Sequence, residues 1–371
     1  MAVEPWLCLL AADSGRQRCW RELLAAHDGI ANIVTLPRAK LEAAGVDAET
    51  IDRLAAPDGE RIEQWQRWLD RPGHGLITID DPAYPERLAA IADAPLALWV
   101  HGADGRLLDL PQLAIVGSRN PTRGGTQTAT AFARYFSEHG LVITSGMAQG
   151  IDTASHVGAL DGRSGTIAVL GCGIDHVYPR ANSALAERIV ANGLLVSEYA
   201  PGTLPRPFHF PRRNRIIAAM SLGTLVVEAA RQSGSLITAR YASEFGREVF
   251  AIPGSIHNPL AKGCHALIRD GAKLVDDAAD VLLELAPQLS ANEWEATNVT
   301  ASTHCDTSLT KQPQYVALLE ALAFEPTQIA TLAQGVGLTT GEVSSMLLVL
   351  ELEGLVEALP GGRYARLSQR D

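Results

Sequence analysis

Cysteine is scarce in this chain: five in 371 residues, at positions 8, 19, 172, 264 and 305, with no C-x-x-C pair. That spacing excludes a zinc ribbon or a disulfide framework and makes a reducing cytosol the expected home. Long hydrophobic runs are also missing. The apolar start Trp6-Leu7-Cys8-Leu9-Leu10-Ala11-Ala12 is too short to span a bilayer, and Glu4 stands where a secretory signal carries basic residues. A cytoplasmic protein is expected. Positive charge is the third shortage, since 31 Lys and Arg against 42 Asp and Glu leave a net charge of −11. A chain of that sign does not coat nucleic acid over its whole surface, so any anionic partner has to be met locally. What is plentiful is apolar residue (47%) and glycine (33), which fit an α/β protein with many tight turns, and the length suits two or three domains.

One window reverses the charge balance. From Tyr199 to Val227 there is no Asp or Glu, whereas Arg206, His209, Arg212, Arg213 and Arg215 all fall there. Arginine grips phosphate oxygens with a planar fork and stacks on bases. Phe210 stands beside the cluster, and an aromatic ring next to a basic groove is how single strands are held without sequence preference. The plainer reading is that these arginines cap a helix and pair with acids elsewhere in the chain.

The chain divides by pattern into three regions and a linker. Residues 1–72 read as short helices (Arg21–Ala26, Arg38–Ala44, Asp47–Ala55, Glu60–Leu69) in a small domain of sterile-alpha-motif-like character. Trp65 and Trp68, three apart, read as core. Over 76–286, apolar runs at 113–117, 141–146, 166–171, 194–197, 224–227 and 249–252 alternate with helix-compatible segments. That alternation predicts a doubly wound parallel sheet, Rossmann-like, which binds ligands beyond the carboxyl ends of its strands. Residues 287–313 read as a polar linker, and 314–371 as a winged helix. Its recognition segment Gly341–Glu353 has no Lys or Arg and three Glu, so it would repel a duplex and suits protein contact or packing.

Three strand-to-helix turns look able to carry chemistry: Gly117-Ser118-Arg119-Asn120-Pro121, Ser145-Gly146-Met147-Ala148-Gln149-Gly150-Ile151-Asp152 and Gly171-Cys172-Gly173-Ile174-Asp175. None is G-x-G-x-x-G, so no dinucleotide cofactor is expected, but backbone N–H groups at such turns suit phosphate. Ser145 and Gln149 could add donors, and Asp152 reads as the N-cap of the next helix. Ser145 lacks the hydrolase elbow, and the histidines show no metal-ligand spacing, so neither catalytic residues nor a metal is expected.

As an ordered set, these turns, with Tyr178-Pro179, Ser197-Glu198-Tyr199, Phe210-Pro211-Arg212-Arg213-Asn214-Arg215-Ile216-Ile217, Val227-Glu228-Ala229, Ser233-Gly234-Ser235-Leu236-Ile237-Thr238-Ala239 and Pro253-Gly254, closely resemble the DNA-processing protein A (DprA/Smf) family. The resemblance covers about residues 80–285, and Ser155-His156 in place of the common Ala-His is a small departure. It implies an extended Rossmann-like domain that binds single-stranded DNA in a basic pocket without catalysis. It further implies a homodimer that loads the RecA recombinase onto incoming strands in natural transformation. Carried over by motif, Arg119, Phe210, Arg213, Asn214 and Arg215 would line the pocket, with Ser118, Ser145, Gly146 and Arg206 contributing.

Two other classes stay open on the residues alone. Nucleotide phosphoribohydrolases of the lysine-decarboxylase-like family share the sheet, but Arg213-Asn214 replaces their Arg-Lys pair. Glu228 also lies four residues after Thr224 rather than three. A duplex-binding regulator would use the winged helix, whose acidity counts against it.

Overall fold

The computed structural model describes residues 3–13, 17–27, 29–289, 313–322, 326–352, 355–359 and 361–367. Its contacts divide into two compact units, Met1–Pro121 with Ala129–Glu295 and Thr122–Thr128 with Ala296–Asp371. Most of the expected linker, residues 290–312, lies outside the described residues.

The first unit is built on a nine-stranded sheet: β1 (His74–Thr78), β2 (Ala97–Gly102), β3 (Gln112–Val116), β4 (Val142–Ser145), β5 (Thr166–Leu170), β6 (Leu194–Ser197), β7 (Gly223–Val226), β8 (Glu248–Ala251) and β9 (Lys273–Leu274). Their order is β1-β2-β6-β5-β4-β3-β7-β8-β9. From β6 to β9 all neighbours pair in parallel, as the apolar runs predict. The sheet is longer than expected at both edges. β1 and β2 pair antiparallel and join β6 antiparallel. β1 escapes a pattern search because only its last residue is buried, and β9 because it is two exposed residues.

Alternation along each strand feeds two cores. Leu113 and Ile115 of β3 face one side, where Ile143, Leu225 and Phe250 meet Ala129, Ala133 and Phe136 of the helix Arg123–Glu138. Ala114 and Val116 face the other side, with Val142, Val169, Val226 and the buried flank Ile216, Ile217 and Met220 of the helix His209–Met220. Each such buried aliphatic or aromatic side chain contributes about 1.5–3 kcal/mol. Every residue of β3 to β7 is buried, because both faces of the sheet are covered.

The expected N-terminal helices are present, together with two others, Val3–Ala12 and Ile30–Val34. The apolar start is thus a helix whose Trp6 and Leu9 pack on Trp20, Ile33 and Ile51. Asp47 and Asp58 cap their helices by accepting from the N–H groups of Thr50 and Arg61. Trp65 and Trp68 are buried, edge-on to Trp99 of β2 at 5.4 and 5.7 Å.

The second unit has helices Pro313–Ala321, Ile329–Val336 and Thr340–Leu352 and strands β10 (Thr327–Gln328), β11 (Val356–Leu359) and β12 (Arg363–Arg366) in the order β10-β12-β11. This is a winged helix. Its core is Leu318, Leu332, Leu347, Leu350 and Val356. Thr339 and Glu342 cap the third helix reciprocally, and left-handed Gly337 (φ 70°) closes the second.

Candidate nucleic-acid interface

The sheet order fixes where a ligand can enter. From β3 the chain winds outward through β4, β5 and β6, then returns to place β7 on the other side of β3. Beyond the carboxyl ends of β3 and β7 the connections diverge and leave a crevice. A cavity of about 420 Å³ occupies it. Its wall comes from Gly117, Ser118 and Arg119 after β3, Ala148 and Asp152 after β4, Phe210, Arg213 and Asn214 on the helix His209–Met220, and Gln232 to Ser235 after β7. Two helices of ten residues or more, His209–Met220 and Ser235–Glu244, start on this wall. Their N-termini point partial positive charge at whatever enters.

Arg213 is a buried member of the wall, 4% exposed. Its Nη1 donates to the carbonyls of Gly146 (2.5 Å) and Val169, and its Nε donates to Asn214 Oδ1 (3.1 Å). The guanidinium fits because residue 146 has no side chain: a Cβ there would lie 2.5–2.7 Å from Nη1, Cζ and Nη2. Asp152, also buried, accepts at Oδ2 from the N–H groups of Gly146 (3.2 Å) and Ala148 (3.3 Å). Burial raises the Asp152 carboxyl above the ordinary carboxylate range, while the Arg213 charge and those two amides pull it down. Burial likewise lowers Arg213, opposed by Asp152. Between them Met147 is held left-handed (φ 58°), with Asn182 Nδ2 donating to its carbonyl at 2.8 Å. A non-glycine residue in that region stores about 1–3 kcal/mol.

The second turn therefore works differently from expectation. Gly146 and Ala148 spend their amides on Asp152, which is the second residue of its helix rather than the N-cap. Ser145 is fully buried and donates to the Ile115 carbonyl at 2.6 Å. Ser145 and Gly146 form the layer beneath the wall. The third turn, unlike the second with its Ala148 and Asp152, does not line the cavity. Gly171 supports Phe210, whose ring would meet a Cβ there at 2.7 Å.

The nine candidate residues separate accordingly. Ser118, Arg119, Phe210, Arg213 and Asn214 come together on the wall. Arg119 is exposed and makes no hydrogen bond or ion pair among the described residues. Asn214 reaches across to the Gly234 carbonyl at 3.4 Å and ties the helix to the turn after β7. Arg206 is exposed, outside the wall. Arg215 is not on the wall. It is 1% exposed and turned to the opposite flank of its helix, where Nη2 meets Glu198 Oε1 at 2.7 Å and Nε meets Asp93 Oδ2 at 2.9 Å. Glu198 also takes Arg212, at 3.2 Å. The acid-free window is thus acid-free along the chain but not in space.

Sequence reasoning quoted Ser233-Gly234-Ser235 as a family motif but did not count the Gln232-Ser233-Gly234-Ser235 turn among the candidate site residues, although it lines the cavity. The signal was available, since it is a Gly/Ser turn after an apolar strand like the other three. Ser233 and Ser235 share a hydroxyl–hydroxyl bond of 2.7 Å there.

Residues 75–286 match the family model described as DNA recombination-mediator protein A, and 305–362 match the DprA winged helix domain. Protein Smf of Escherichia coli is 40% identical over 88% of this chain and 86% of its own length. The chain belongs to the DprA/Smf family. The DNA processing protein DprA of Streptococcus pneumoniae is 49% identical over 56% of this chain and 73% of its own. Two solved structures agree. DprA from Streptococcus pneumoniae superposes with a TM-score of 0.68 at 38% identity, covering 76% of this chain and 98% of that one. DprA from Helicobacter pylori, whose study concerns its single-stranded DNA binding mode, gives 0.53 at 30% identity, over 57% and 96%. The large parallel sheet and the winged helix described above are those of the family.

Proposed function

We propose that this DprA-family protein binds single-stranded DNA in the crevice between β3 and β7, protects it and hands it to the RecA recombinase in transformation and recombination. The observation that carries the binding reading is the wall itself. Unpaired Arg119, two helix N-termini and the Phe210 ring converge on one 420 Å³ cavity in a chain of net charge −11. Phosphates sit against Arg119 and the helix starts, and an unstacked base lies on Phe210. Arg213 holds the floor that positions both. A duplex keeps its bases stacked inside and presents none to that ring, so it is the weaker ligand.

The family's description as a recombination mediator and the single-stranded DNA bound by the Helicobacter pylori relative support this reading. A binding role without catalysis is supported by Ser145, whose hydroxyl is committed to a backbone carbonyl, and by His156, buried and driven to a pKa of about 3. We assign helical, strand-binding and winged-helix domains to 1–72, 76–286 and 314–371, and a homodimer in the cytoplasm. Pairing two crevices raises avidity on long strands. Among the described residues no helix is long and apolar enough to cross a membrane.

Fluorescence anisotropy of a labelled single-stranded oligonucleotide, with its duplex as competitor at two salt concentrations, tests the reading. Salt-sensitive binding that the duplex displaces poorly is expected. Arg119→Ala should weaken it about tenfold and reduce the salt slope by about 0.7, one phosphate contact, with no change in Tm. Equal competition by duplex, or an unaffected Arg119→Ala, overturns it and turns attention to nucleotide hydrolysis.

A further inference from the structure

The aromatic surface does not stop at the cavity wall. Tyr178, in the loop after β5, lies with its ring centroid 5.3 Å from that of Phe210 and tilted 42° to it. Its side is open to water: Tyr178 is 49% exposed and Phe208, two residues before Phe210, is 61% exposed. Tyr178 thus extends the aromatic surface of the wall outward from Phe210, and Phe208 adds an exposed ring at the start of the same helix.

Both rings stand on fixed supports. Phe208 packs edge-on against His209 at 4.5 Å, and buried His209 stacks on Tyr199 at 4.0 Å. The Tyr178 loop is pinned by Gly173 N–H donating to the Thr203 carbonyl (2.7 Å) and by Gly202 N–H donating to Asp175 (2.9 Å). Each ring has an arginine two positions away in sequence, Arg180 after Tyr178 and Arg206 before Phe208. Arg180 and Arg206 are exposed and make no ion pair among the described residues. Arg206 is near enough to His209 to help lower its pKa, after the larger effect of burial.

We infer that Tyr178 and Phe208, flanked by Arg180 and Arg206, form a second platform on which the single strand continues after it leaves the cavity. This rests on the single-strand reading proposed above and extends it. Each exposed face takes one base and the arginines meet the phosphates between, so the platform adds about two nucleotides to the site. Rings exposed together with arginines suit stacked bases. The two exposed cations give the phosphates of a strand their partners, which an uncharged ligand would not use.

Oligothymidylates from about 4 to about 16 nucleotides, titrated by anisotropy into the full chain, decide it. Wild-type affinity should rise with length until the platform is covered. Tyr178→Ala should match wild type on the shortest strand and lose about tenfold on the longest, Tyr178→Phe should keep the gain, and adding Phe208→Ala should deepen the loss. Arg119→Ala should weaken every length equally. If Tyr178→Ala and Phe208→Ala follow wild type at all lengths while Arg119→Ala does not, the platform is refuted. If wild type binds no strand at any length, the proposed function itself fails and the platform with it.

Discussion

Replacing Arg213 by methionine removes a buried charge from beneath the crevice while keeping similar bulk. The Gly146 and Val169 carbonyls lose their guanidinium donor, and Asp152 loses the cation that offsets its burial. Removing one partner of a buried charged pair costs about 3–5 kcal/mol, because the other charge stays buried. At about 2–4 °C per kcal/mol for a domain of this size, Tm should fall by about 6–20 °C. Differential scanning calorimetry of the two proteins at one pH reads it directly. Strand affinity should fall too, but only Tm separates a floor residue from a simple phosphate ligand. A Tm drop below about 2 °C would refute the argument that Arg213 holds the wall together.

Arg215→Met should destabilise the protein by a similar ~3–5 kcal/mol, since it leaves Glu198 without its buried partner, yet leave strand affinity of the folded protein unchanged. Urea titration paired with anisotropy checks both halves, and a fivefold loss of affinity would contradict the placement of Arg215 off the wall. Gly171→Val should push the Phe210 ring off its seat, given the 2.7 Å approach of even a Cβ, and weaken strand binding about tenfold. Binding equal to wild type would show that the ring does not depend on that seat. His156 is fully buried with a pKa lowered to about 3 from 6.5, mainly by desolvation. Above pH 6.5 folded and unfolded chains are both neutral there. Below it only the unfolded chain gains the proton, so stability is lost at about 1.4 kcal/mol per pH unit down to about pH 3. His156→Gln should flatten urea midpoints between pH 6 and 4 by about that slope, and an unchanged slope would sink the assignment.

The parallel strands β3 to β8 were legible because strands covered on both faces are mostly apolar, and β3 to β6 run into a Gly or Ser. β1 was not, since it is half-buried with a His and a Gly among its five residues. Three of the wall residues, Arg119, Phe210 and Arg213, were legible from charge and aromatic character, in a turn and a helix start that the sheet rule places at one edge, whereas Ser118 and Asn214 came only with the family motif. What a linear reading could not supply was distance between segments. Glu198 ends the strand before the arginine window and Asp93 lies far upstream, yet both meet Arg215. Gly146 read as a contributor to the pocket in a phosphate-suited turn. Its use is clearance for a guanidinium donated from a helix 67 positions away in sequence.

That clearance carries a consequence for how the chain can drift over generations. Gly146 has room only for a guanidinium, Arg213 is tolerated in the interior only near Asp152, and Asp152 fills its role only by tying down the amides of Gly146 and Ala148. A change at any one of the three strands the other two in a misfitting state, and reversal is then easier than advance. The three positions should be inherited as a block, altering together where they alter at all, while Arg119, which leans on nothing, is free to be exchanged for another cation one step at a time.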